Sequence, residues 1–130
     1  MTTVLVIDDE DMVRATLRQL LERRGFEVVE AQDGEEGQRL FRSRRADVVI
    51  CDIIMPRSEG IGTIMGIRRM APDVPIIAMS GGGRAHALEL LQVAEQFGAD
   101  HVLEKPFRMA QLLDLVQQGT GARKEVALAR

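Results

Sequence analysis

The sequence predicts an α/β domain: a doubly wound, five-stranded parallel sheet in the order 2-1-3-4-5, with helices on both faces. Three observations carry this. Short runs rich in β-branched residues alternate five times with helical periodicity. The third run, Asp47-Val48-Val49-Ile50-Cys51, is apolar on both faces, as a central parallel strand must be. Right-handed crossovers leave few strand orders for five βα units, and 2-1-3-4-5 is the natural one.

Each element can be placed in turn. Val4–Ile7 reads as a strand, and the helix after it sets Val13, Leu17, Leu20 and Leu21 on one face, with Gly25 as its stop. Glu27–Glu30 forms the second strand around Val28 and Val29. A polar helix follows from about Gly34 to Arg45, with Leu40 and Phe41 as its apolar side. After the third strand and Asp52 comes a loop with Pro56 and Gly60, then a helix carrying Ile61, Ile64 and Met65 and weakened by Gly62 and Gly66. Pro75–Met79 is the fourth strand and runs into Ser80 and three glycines. Leu88, Leu91 and Ala94 mark the next helix, closed by Gly98; His101–Leu103 is the fifth strand. Met109, Leu112, Leu113 and Val116 follow the i, i+3, i+4, i+7 pattern of a last helix, expected to end at Gly119 and Gly121. This gives one domain over 1–121 and a tail over 122–130 with no core role.

Composition narrows the function classes. The 130 residues are 45% hydrophobic and 28% charged, an ordinary globular balance. There is no Trp or Tyr and only four Phe, so stacking platforms for bases are scarce. A net charge of −3 disfavours direct nucleic-acid binding. The single cysteine, Cys51, excludes an internal disulfide and fits a reducing, cytoplasmic setting. The N-terminal apolar run is too short for a signal peptide or membrane span, so no membrane partner is expected.

The chemistry gathers at one rim of the sheet. The first strand ends in Asp8-Asp9-Glu10-Asp11, the third in Asp52, the fourth in Ser80 and the fifth in Lys105. The acids could merely cap a helix, Ser80 could be a turn residue and Lys105-Pro106 a plain strand exit. In the 2-1-3-4-5 order, however, strands one and three are neighbours about 4.8 Å apart, so Asp8, Asp9 and Asp52 converge in the crevice where such folds bind ligands. Carboxylates that close need a counter-charge, and oxygen ligands without His or Cys favour Mg²⁺ over zinc or copper.

The stretches VLVIDDE, DVVICDIIMPRSEG, IIAMSG and GADHVLEKPF together resemble the receiver domain of two-component response regulators, a CheY-like, flavodoxin-type fold. The likeness runs from about Thr3 to Gln118. It implies Asp52 as phospho-acceptor, Asp8 and Asp9 as the acidic pair holding Mg²⁺, and Asp52 and the Ile54 backbone carbonyl as further metal ligands. It implies Ser80 as the hydroxyl that detects the phosphoryl group, Lys105 as its cationic partner, and a cis peptide at Lys105-Pro106. The phosphodonor would be a histidine kinase or histidine phosphotransfer protein, and the output an unknown protein target. Such a domain is a signalling phospho-acceptor that assists its own phosphorylation and dephosphorylation, rather than an enzyme.

One position departs from the resemblance: Val102 stands where members usually carry Tyr or Phe, and valine cannot swing in and out in the same way. Gly81-Gly82-Gly83 lacks the Gly-Lys-Ser/Thr ending of a P-loop, although Arg84 is placed to approach a phosphate. Gly82 and Ile54, which flank the acceptor in the family pattern this chain resembles, are expected to set the lifetime of the phosphorylated state. Cys51 reads as a small core residue, His101 as a strand-end residue, and the seven methionines as core residues. The arginines at 23–24, 42, 44–45 and 68–69 read as solvated helix ends. Only 23 residues follow Phe107, leaving room for one helix and a tail but no output domain in this chain.

Rival readings are a pseudo-receiver that binds partners without phosphorylation, a Mg²⁺-dependent phosphatase, and a flavodoxin-like electron carrier. Asp8-Asp9-Glu10 lacks the alternate spacing of phosphatase acids. The acidic loop would repel a flavin phosphate, and no Trp or Tyr is present to stack its ring.

Overall fold

The computed structural model describes the backbone over residues 1–54, 60–81 and 87–129, and the side chains of these except at 87, 88, 90, 91 and 121–129. Five strands and five helices alternate: β1 (Thr3–Ile7), α1 (Asp11–Arg23), β2 (Glu27–Ala31), α2 (Gly34–Arg44), β3 (Val48–Asp52), α3 (Gly60–Met70), β4 (Ile76–Ser80), α4 (Ala87–Gln96), β5 (His101–Glu104) and α5 (Met109–Ala129). The sheet is wholly parallel in the order β2-β1-β3-β4-β5, as the sequence predicts.

Strand period two splits the core into two layers. Leu5, Ile7, Val49, Cys51, Ile76 and Ala78 point to one face and pack with Phe41 of α2, Ile64 and Ile67 of α3 and Ala94 of α4. Val4, Val6, Val48, Ile50, Ile77 and Met79 point to the other, against Leu17 and Leu21 of α1 and Leu112, Leu113 and Val116 of α5. Every residue of β3 and β4 is buried, whereas β5 lies at the edge and none of its residues is. Doubly covered central strands explain why Val48–Cys51 and Ile76–Met79 read as unbroken apolar runs.

Local chemistry sets the helix ends. Asp33 caps α2 by accepting from the Glu36 amide at 2.8 Å, while Glu36 reaches back to the Gln32 amide at 3.1 Å. Gly25 follows α1 at φ +88°, in the left-handed region that glycine enters without steric cost.

Three expectations need correction. The last helix does not end at Gly119–Gly121; its backbone stays helical to Ala129. Two glycines cost only about 1 kcal/mol each, and the run Ala122-Arg123-Lys124-Glu125 is rich in helix formers. Gly119 has a different use: a Cβ there would lie 2.8 Å from Pro75 Cβ, so its bare Cα lets α5 approach the start of β4.

Arg68 is not a solvated helix end. Its guanidinium donates to the carbonyls of Gly98, Pro72 and Val74 at 2.6, 2.8 and 2.7 Å and pairs with Asp100 at 2.7 Å. Arg45 stays exposed, as a solvated helix end should, while donating to the Met70 carbonyl and lying over the Phe41 ring, 5.4 Å from its centre. Finally, Met79 is buried as expected, but Met1, Met12 and Met65 are exposed. A long flexible thioether tolerates either setting, so helical spacing alone does not fix its depth.

Candidate functional site

The C-terminal ends of β1, β3, β4 and β5 bring together the acids, the hydroxyl and the lysine singled out above. Asp8 leaves β1 fully buried, its amide held by the Ala31 carbonyl at 3.1 Å. Its Oδ1 accepts from the Glu10 amide at 2.9 Å. A carboxylate with no exposure is not a solvated helix start. Glu10, which occupies the N-cap position of α1, makes no side-chain capping bond either. The reading of a solvated helix start therefore fails for Asp8, while Asp9, Glu10 and Asp11 are exposed at the start of α1.

Asp52 ends β3 at only 4% exposure. Its Oδ1 accepts from the Ile54 amide at 3.0 Å, and its Oδ2 faces Lys105 Nζ at 3.4 Å. The same ammonium lies 3.2 Å from Asp8 Oδ2. One lysine, reaching from the end of β5, thus bridges two carboxylates on adjacent strands. It is placed by a main-chain anchor, since its amide donates to the Ser80 carbonyl at 2.8 Å, and by the cis peptide that joins it to Pro106.

The electrostatics follow from this burial. Loss of solvent is the largest influence on Asp52 and pushes its carboxyl above the ordinary 3.8. The Ile54 amide and Lys105 pull it down, the neighbouring Asp8 charge pushes it up, and the balance is a raised value. Burial pulls Lys105 down, but Asp52 and Asp8 outweigh it and hold the ammonium above its usual range. Cys51, directly before Asp52, has its thiol pushed far up by burial and by both carboxylates. It is an inert core residue, as the sequence predicts.

Ser80 is fully buried, and its hydroxyl has no hydrogen-bond partner among the described residues. An orphaned buried donor at a polar rim marks a place where a ligand oxygen can be accepted. Gly60, at the start of α3, sits against the acceptor strand: a Cβ there would be 2.3 Å from the Asp52 carbonyl and 2.2 Å from Ile53 Cα. Sequence reasoning placed Gly60 only as a loop residue, because close backbone approach leaves no trace in local composition.

Among the described residues, the acids that bring three ligand oxygens within 4.8 Å of one another are Asp8, Asp9 and Glu10. Asp9 and Glu10 are exposed and Asp8 is buried. Glu10 joins this group, whereas Asp52 is linked to Asp8 through Lys105. The Ile54 amide engages the acceptor. Hard carboxylate oxygens at this separation suit a small divalent cation. Val102 is half-buried, pairs with Ala78 and packs against the core layer of α2–α4. His101 is half-buried at the start of β5. Met55, Pro56, Gly82, Gly83 and Arg84 lie outside the described residues.

A doubly wound domain with this rim defines the class, and the comparisons agree. The family profile "Response regulator receiver domain" matches residues 4–117. The chain belongs to that family, whose members act as phosphorylation-dependent switches. It is 42% identical over 113 residues to the probable transcriptional regulator ycf27 of Guillardia theta, covering 84% of this chain and 41% of that protein. It is 37% identical over 110 residues to the response regulator MprA of Mycolicibacterium vanbaalenii, covering 85% of this chain and 46% of that protein. The chain therefore spans less than half the length of these relatives. Among solved structures, a response regulator receiver domain protein from Clostridium thermocellum superposes with a TM-score of 0.89 at 30% identity, covering 97% of this chain and 99% of that one. Among the described residues, no helix is long and apolar enough to cross a membrane.

Proposed function

We propose that Asp52 takes a phosphoryl group from a phosphohistidine on a kinase or phosphotransfer protein, and that the resulting acyl phosphate changes what this domain binds. The observation that carries this reading is the buried Asp52 carboxylate, held by the Ile54 amide and facing an ammonium that also bridges Asp8. In the transfer, an Asp52 carboxylate oxygen forms the new bond to phosphorus while the donor's P–N bond breaks and its imidazole leaves. The Ile54 amide fixes Oδ1, so the carboxylate is oriented before the donor arrives. Lys105 supplies positive charge where the phosphoryl oxygens carry negative charge, and the Ser80 hydroxyl donates to one of them.

Asp8, Asp9 and Glu10 would hold Mg²⁺ beside the acceptor, with Asp52 and the Ile54 carbonyl as the further ligands expected from the resemblance. Bound there, the cation would offset the repulsion between carboxylate and phosphoryl group. Once Lys105 and Ser80 grip the phosphoryl oxygens, the segment after β4 is drawn inward, which is the switch. With Val102 in the position of the usual aromatic, coupling to the output runs through the Ser80 segment rather than through a rotating ring. Water attack on the acyl phosphate, assisted by the same rim, resets the domain. Ile54 limits that attack by its bulk, and the residue types at 54 and 82, which flank the acceptor in the family pattern, set the lifetime of the phosphorylated state. The setting is cytoplasmic, and the downstream target is a protein.

The test is phosphorylation by a small acyl phosphate in the presence of Mg²⁺, read by intact mass. The wild-type chain is expected to gain one phosphoryl group and Asp52→Asn none. No gain in the wild type, or an equal gain in the variant, would overturn the reading.

A further inference from the structure

Arg14 lies on α1 outside the constellation above, yet its side chain is only 12% exposed and all three of its guanidinium nitrogens are used. Nη1 donates to the Asp8 carbonyl at 2.6 Å, Nε to Glu30 on β2 at 3.2 Å, and Nη2 pairs with Asp11. We propose that Arg14, anchored by Glu30, is a positioning residue that sets the cation affinity of Asp8, Asp9 and Glu10 by fixing the peptide between Asp8 and Asp9. This rests on the reading of those acids as a Mg²⁺ site.

The physical reason is the planarity of the peptide unit. The Asp8 carbonyl and the Asp9 amide share one plane, so a strong donor on that carbonyl decides how Asp9 and Glu10 leave the strand. The Asp8 amide is already held by Ala31, and its Oδ1 by the Glu10 amide. Arg14 adds the constraint that makes the turn a single geometry. Its own charge would repel a cation, but Glu30 and Asp11 neutralise it. Glu30 is in turn held by Arg18, which also donates to the Val28 carbonyl at 3.3 Å. A lysine at 14 keeps the charge but cannot serve three acceptors from one planar fork.

The experiment is calorimetric titration of the whole chain with Mg²⁺, paired with hydrogen exchange at the Glu10 amide and a thermal unfolding curve. Arg14→Lys is expected to weaken Mg²⁺ binding about ten-fold, as loss of groups that orient metal ligands does, and to speed exchange at Glu10. Glu30→Ala should shift both in the same direction by less. Arg44→Met, which removes an arginine paired with Glu27 and leaves Arg14, Glu30 and the Asp8 carbonyl untouched, should bind Mg²⁺ as wild type does. Wild-type affinity and unchanged Glu10 exchange in Arg14→Lys would overturn the proposal while leaving the metal site intact. Absence of Mg²⁺ binding by the wild type would overturn the site itself. Should Arg14→Lys fail to fold, Glu30→Ala decides, and an unchanged affinity there overturns the proposal.

Discussion

Asp52 is held in a form the folded state does not favour. Burial raises its carboxyl, so the folded protein binds a proton more readily than the unfolded chain does. Stability contributed by this group therefore falls as pH rises from the ordinary 3.8 through the raised folded value, and it stays low above that. Asp52→Asn, which removes the buried charge, should raise the unfolding midpoint at neutral pH. Each 1 kcal/mol gained corresponds to about 3–6 °C for a domain of this size. The gain should vanish below the ordinary carboxylate range, where Asp52 is protonated in both states; melting curves at neutral and acidic pH check this. Lys105 behaves oppositely. Its raised value means its contribution is complete below 10.5 and lost as pH rises through the folded value. Lys105→Met should lower the midpoint at neutral pH, because Asp8 and Asp52 then face each other without a counter-charge.

At the scale of elements, the junctions matter more than the strands. Gly60 lets α3 start directly against the acceptor strand. Gly60→Ala should cost about 1–3 kcal/mol, because the contact it creates is with Asp52 and Ile53 backbone that cannot yield cheaply. Denaturant unfolding measures the loss, and slower phosphoryl uptake at Asp52 should accompany it. Arg68 joins the end of α3 to the turns before β4 and β5 through four carbonyls and Asp100. Arg68→Ala should therefore cost about 2–3 kcal/mol on the same assay, far more than a solvated arginine would. Sequence periodicity could not distinguish these cases. An arginine in the last turn of a helix looks the same whether it meets water or the carbonyls of segments distant in sequence, and Arg68 reaches Gly98 across thirty positions.

For the molecule as a whole, strand order and layers were legible because they depend on pattern alone. The unbroken apolar run at Val48–Cys51 announced a central strand, and alternation of elements announced a parallel sheet. Asp8, Asp52, Ser80 and Lys105 were legible because each ends a strand, and the topology brings strand ends together. What escaped was set by particular side-chain and backbone approaches that no hydrophobic pattern encodes. Glu10's place in the acidic group, Arg14's hold on the Asp8 carbonyl and Gly119's packing on Pro75 each depend on a specific approach in space. The end of α5 escaped for another reason, since two glycines are a weak stop against a following run of helix formers. The central claim is that Asp52 alone takes the phosphoryl group, and peptide mapping after labelling with a radioactive acyl phosphate and Mg²⁺ tests it most directly. A base-labile label confined to the peptide that contains Asp52 is the predicted result; label on a serine, threonine or histidine peptide, or on none, would contradict it.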